Sequence, residues 1–106
     1  MNLDVDLDNK VNVIVLQYSM VKKKMFGGSC YLEDKKTVCG VWKNYLILRI
    51  GQALCESALK DDYVLKFDIT GKTMKGWIMI EHKHLSVQDI ADWISKARSY
   101  VKTIEK

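Results

Sequence analysis

Residues 29 to 50 constrain this chain more than any other stretch. SCYL, TVCGVW and YLILRI are three short runs rich in β-branched and aromatic residues, and the gaps between them have room only for tight turns. If YLEDKKTV is a hairpin, Asp34-Lys35 is its two-residue loop; Lys43-Asn44 joins the next two runs, with Asn suited to the left-handed conformation of a tight hairpin. Strands joined this closely pair antiparallel, because a parallel neighbour needs a crossover of about a dozen residues or more. The chain therefore folds around an antiparallel meander.

After the meander, QALCESALK reads as a short helix, with Ala53, Leu54, Ala58 and Leu59 turned toward a core. YVLKFDI and GWIMIEH are two further strands, joined by a turn at Thr70-Gly71-Lys72. Ser86 and Asp89 then form a capping pattern. Behind it Val87, Ile90, Ala91, Ile94, Ala97, Val101 and Ile104 recur at three- and four-residue steps, the mark of a long amphipathic helix. Trp93 and Tyr100 flank that stripe, either as core-boundary residues or as a self-association surface. The first segment, roughly residues 7 to 19, reads two ways. VNVIVLQY is β-branched and partly alternates, yet Val11, Ile14, Val15 and Tyr18 also fall at helical spacing behind an acidic start. The fold class is α+β, an antiparallel sheet packed with the long C-terminal helix.

With 106 residues, no proline, no repeat and no low-complexity tract, the chain reads as one domain. No apolar run reaches the roughly 18 residues of a membrane span, and MNLDVDLDNK is acidic where a secretory signal is basic and then apolar, so a cytoplasmic protein is expected. Cys30, Cys39 and Cys55 are odd in number and lack a C-x-x-C pair, which fits neither a disulfide framework nor a zinc site. With Asp34-Lys35 as the loop, Cys30 and Cys39 face each other as a non-hydrogen-bonded pair with Cα atoms about 4.5 Å apart, near enough for oxidation in air.

Little in the sequence carries catalysis. TGKT at 70–73 resembles the end of a phosphate-binding loop, but Lys66 stands where the first glycine belongs and a strand follows where a helix is required. His82 and His84 share one side of a strand, with no third ligand at a suitable spacing. No serine or cysteine comes with a base and an orienting carboxylate. No enzyme, metal or cofactor is expected. The lysine run Lys22-Lys23-Lys24, followed by Gly27-Gly28, has two readings: a grip on phosphates, or a solvated edge that discourages strand-to-strand association. A net charge of +4 is modest for a nucleic-acid-coating protein, and only Phe26 and Tyr31 lie near the run as stacking aromatics.

Taken in order, KKKMFGG, the hairpin after it, YLILRIG, TGKTMKGWIMI and DIADWISKA resemble the N-terminal domain family of TfoX, also called Sxy, the bacterial competence regulator. The resemblance runs collinearly over roughly residues 20 to 104. The family's basic-basic-Met-Phe-Gly-Gly signature falls on Lys23, Lys24, Met25, Phe26, Gly27 and Gly28; its strand-ending Arg and following Gly fall on Arg49 and Gly51. A second signature falls on Gly71, Lys72, Met74, Lys75, Gly76 and Trp77, with Thr73 where many relatives have proline. The resemblance implies a single TfoX N-terminal-like domain over residues 1–106, ordered α-β-β-β-α-β-β-α, with the first segment a helix and the Gly pair a bend. It implies a non-enzymatic regulator working through a protein partner such as a transcription factor or polymerase, and forming a homodimer. The second domain of the full-length regulators has no counterpart, so transcriptional activation does not carry over. The alternative is direct nucleic-acid binding through Lys22, Lys23, Lys24, Arg49, Lys72 and Lys75.

Overall fold

The lysine run is itself a strand. The computed structural model describes residues 4–25, 28–67 and 75–104; in it MVKKKM forms β1 (Met20–Met25), paired antiparallel with β2 (Gly28–Glu33). With β3 (Lys36–Trp42) and β4 (Tyr45–Arg49), four strands precede the second helix, one more than the sequence indicates. Three consecutive lysines blur the alternation by which a strand is read, and they suit this position because β1 lies at the sheet edge, where lysine discourages pairing with another chain. β5 (Val64–Lys66) and β6 (Trp77–Glu81) complete a six-stranded sheet in the order β1-β2-β3-β4-β6-β5. Every pairing is antiparallel.

Both two-residue gaps are hairpin turns. Asp34 and Lys35 have φ of 54° and 68°, the two left-handed residues of a turn whose twist matches the strands it joins. At the second turn the left-handed residue is Lys43 (φ 54°), not Asn44. Asn44 instead donates its side-chain amide to Glu81 Oε2 at 2.9 Å and ties the turn to β6. Between β2 and β3 the register shifts by one residue after Tyr31, so that Cys39 lies opposite Tyr31 and Cys30 opposite Gly40. This overturns the expected Cys30–Cys39 pair. A bulge moves every later side chain to the other face, leaving Cys39 fully buried in the core and Cys30 half-buried on the other side.

The first segment is helix α1 (Val5–Val15), started by Asp4, whose carboxylate accepts the Leu7 N–H at 3.0 Å. Its β-branched residues divide by face: Val11, Ile14 and Val15 are buried, while Val5 and Val13 are exposed. α2 (Gln52–Ala58) turns Cys55 and Ala58 inward. After a 3-10 turn at His82–His84, α3 (Val87–Lys102) begins with a complete capping box between Ser86 and Asp89 and buries Ile90, Ile94, Ala97 and Val101. All three helices join one core cluster with Cys39, Val41, Leu46, Leu48, Ile78 and Ile80 of the sheet. Because strand side chains alternate, that core uses a single face. Among the described residues no helix is long and apolar enough to cross a membrane.

Candidate functional site

The face turned away from the helices collects the other half of each strand. Three cross-strand rows run over it: Trp42 opposite Tyr45 and then Glu81, Gly40 opposite Ile47 and then Met79, and Arg49 opposite Trp77. Trp42 stacks on Tyr45 with ring centroids 6.2 Å apart and planes 23° from parallel. Lys43 Nζ lies 4.6 Å from the Trp42 ring centroid. At the far end of β4 the Arg49 guanidinium lies 5.8 Å from the Trp77 ring, which in turn is 5.7 Å from that of buried Phe67. Ile47 is buried here yet stands outside the main core cluster, so the face has a small apolar floor of its own. Toward β1, Val21, Lys23, Leu32 and Lys35 line a shallow hollow of about 290 Å³.

The six expected cations do not form one surface. Alternation divides the lysine run: Lys22 turns to the helix side, where its Nζ meets the Asp8 carboxylate at 2.7 Å, and Lys23 turns to the open side. Lys24 shares the side of Lys22 and is exposed. Arg49 belongs to the open face. Lys75 lines a different hollow, of about 340 Å³, with Gln52, Glu56, Lys66 and Trp77. Lys72, like Phe26, Gly27 and Gly71, lies outside the described residues.

Several expected residues do structural work. Lys22, itself exposed, belongs to a tie between α1 and the sheet, in which buried Tyr31 also donates its hydroxyl to Asp8 Oδ1 at 2.7 Å. Burial, and then that carboxylate, push the Tyr31 hydroxyl well above its ordinary range, so it remains a donor. Tyr31 is therefore a core residue and not a stacking one. Met25 pairs with Gly28 at the end of β1, and a Cβ on Gly28 would overlap the Val41 carbonyl oxygen, so this glycine serves close backbone approach. Gly51 and Gly76 have φ of 90° and 86°, and the Gly76 carbonyl accepts from the N–H groups of Ile50 and Gly51. Trp93 and Tyr100 are half-buried against the core, and the Tyr100 ring fills the space a Gly51 side chain would need.

The two histidines separate, because the segment is a 3-10 turn and not a strand. His82 Nδ1 meets Asp4 Oδ2 at 2.8 Å, while His84 stacks on Tyr63 with centroids 5.3 Å apart. Burial works against the Asp4 charge, but the Leu7 N–H and His82 outweigh it and hold that carboxyl below its ordinary value. Arg98 grips Glu33 with two hydrogen bonds of 2.8 and 3.0 Å and lowers it likewise. Burial raises all three thiols, Cys39 most, which disfavours the thiolate a nucleophile needs. Among the described residues no group of three or more His, Cys, Asp or Glu could hold a metal ion.

Sequence reasoning missed Trp42, Lys43 and Tyr45. The available signal was the turn itself: residues flanking a two-residue loop are cross-strand partners on one face. Trp77 was singled out only as part of a motif, since its meeting with Arg49 depends on β4–β6 pairing. No family model, no curated protein and no solved structure matches the chain.

Proposed function

We propose that this chain is a non-enzymatic regulatory module that binds nucleic acid across the open face of its sheet. The carrying observation is the pairing of ring and cation there, Lys43 on Trp42 and Arg49 beside Trp77. Lys23 and Lys35 extend the positive charge toward β1. Glu81, the strand-borne carboxylate on this face among the described residues, is already engaged by Asn44 at 2.9 Å and Lys83 at 3.9 Å. Cations supply sequence-independent attraction to phosphates, and aromatic rings offer the bases apolar contact. The lysine run contributes through Lys23, since Lys22 is committed to Asp8. The motifs shared with the competence regulator's N-terminal domain point to a regulator, and the open face points to its ligand.

Fluorescence anisotropy of labelled oligonucleotides at about 50 and about 200 mM salt tests this reading; affinity is expected to fall steeply between the two. Replacing Lys23, Lys43 and Arg49 together by Gln should flatten the salt dependence by about two charge units on a single strand. Lys22→Gln should leave it unchanged. Absence of binding at the lower salt overturns the proposal.

A further inference from the structure

We infer that the nucleic acid is single-stranded, with bases stacked at two stations at opposite ends of β4, Trp42–Tyr45 and Trp77. The inference rests on the nucleic-acid reading above and assigns its ligand class. Tyr45 and Arg49 are four residues apart on one face of β4, roughly 13 Å at the rise of a strand. Trp42 lies beside the first and Trp77 beside the second. The stations are thus separated by more than a ring's thickness, with the Ile47 and Met79 row as apolar floor between them. Each station has its own cation, Lys43 at one and Arg49 at the other, able to turn from ring to phosphate. All three rings are half-buried, so each keeps exposed area for a base.

A duplex does not use such a surface. The major groove admits a helix or a two-stranded ribbon, whereas this is the broad face of a six-stranded sheet. Against it a duplex presents its phosphates and leaves the aromatic rings unmatched, while unpaired bases each bring a π-face to a ring. A second copy of the chain is also a poor occupant. A two-fold contact through this face would set Lys23, Lys43 and Arg49 against the same cations, with only the engaged Glu81 to offset them.

The test uses the full chain with a labelled mixed-sequence RNA of about a dozen nucleotides, the DNA of the same sequence, and the corresponding duplex. A single strand is expected to bind about tenfold or more tighter than the duplex and to quench tryptophan fluorescence. The RNA and DNA arms show which backbone is preferred. Trp42→Ala with Trp77→Ala should weaken single-strand binding roughly tenfold or more. Trp42→Phe should restore much of the loss at its station. In Trp42→Phe with Trp77→Phe, the remaining Trp93 on the helix side should no longer report quenching. Equal affinity for duplex and single strand overturns the inference and leaves the nucleic-acid reading standing; that comparison needs only the unsubstituted protein. No binding of any probe at about 50 mM salt, or a Trp42-dependent dimer that binds none, overturns both.

Discussion

The two faces of the sheet are built from alternate residues of the same strands, and they end differently. In β4, Leu46 and Leu48 are fully buried under the helices, while Tyr45 before them and Arg49 after them stay half-exposed and Ile47 between them is the buried floor of the other face. In β6, Ile78 and Ile80 are buried and Trp77, Met79 and Glu81 are not. One face is aliphatic and is completed by α1, α2 and α3. The other is aromatic and cationic, and α2 borders it at the hollow beside Trp77. Aliphatic side chains fill space without direction, which suits a core. Aromatic rings with adjacent cations combine area, polarity and geometry, which suits recognition. The pleat lets one strand serve both ends without compromise between them.

Mutations that fall on one face and spare the other would sharpen this contrast. The largest effect is expected at Ile94, which has no exposed surface. Ile94→Ala should cost about 3–4 kcal/mol in urea unfolding. Gly51→Ala comes next, at about 2 kcal/mol, because an added Cβ meets the Tyr100 ring at 2.6 Å and the residue has φ of 90°. Tyr31→Phe should cost about 1.5 kcal/mol by leaving Asp8 with Lys22 alone. On the open face, Trp42→Ala should cost about 1 kcal/mol or less, because its ring lies outside the core cluster. A loss at Trp42 as large as at Ile94 would break the comparison and make the open face a second core.

The smallest effect concerns pH. Asp4 and Glu33 both have folded values below the ordinary carboxylate range of about 4. Their contribution is complete above that range and is lost as pH falls through the depressed folded values. Urea midpoints should therefore decline from about pH 4 downward. Glu33→Gln should make that decline shallower, since it removes the Glu33–Arg98 share. An unchanged acid slope would show that this pair adds little to the closed face.

α2, α3 and the hairpins were largely legible because their signals are local, whereas the β-branched residues of α1 left helix and strand open. The capping box at Ser86–Asp89, the three- and four-residue stripe of α3 and the two-residue gaps at Asp34-Lys35 and Lys43-Asn44 all lie within a few residues of what they specify. The missed features depend on partners distant in the chain. β1 is a strand because it pairs with β2, and the Cys30–Cys39 expectation failed at a bulge after Tyr31. Arg49 was readable as a cation, but its neighbour Trp77 is 28 positions away in sequence and adjacent only across the β4–β6 pairing.

The sequence by itself determined the α+β class, the antiparallel meander and the capped C-terminal helix, because turn chemistry, side-chain period and capping act over short spans. The tertiary structure decided which face each strand residue occupies, and so divided the lysine run between an ion pair on the helix side at Lys22 and an open surface at Lys23. The physical reason is parity: with a side-chain period of two, a single inserted residue or a change of pairing partner exchanges inside for outside. That choice is settled only when the strands meet.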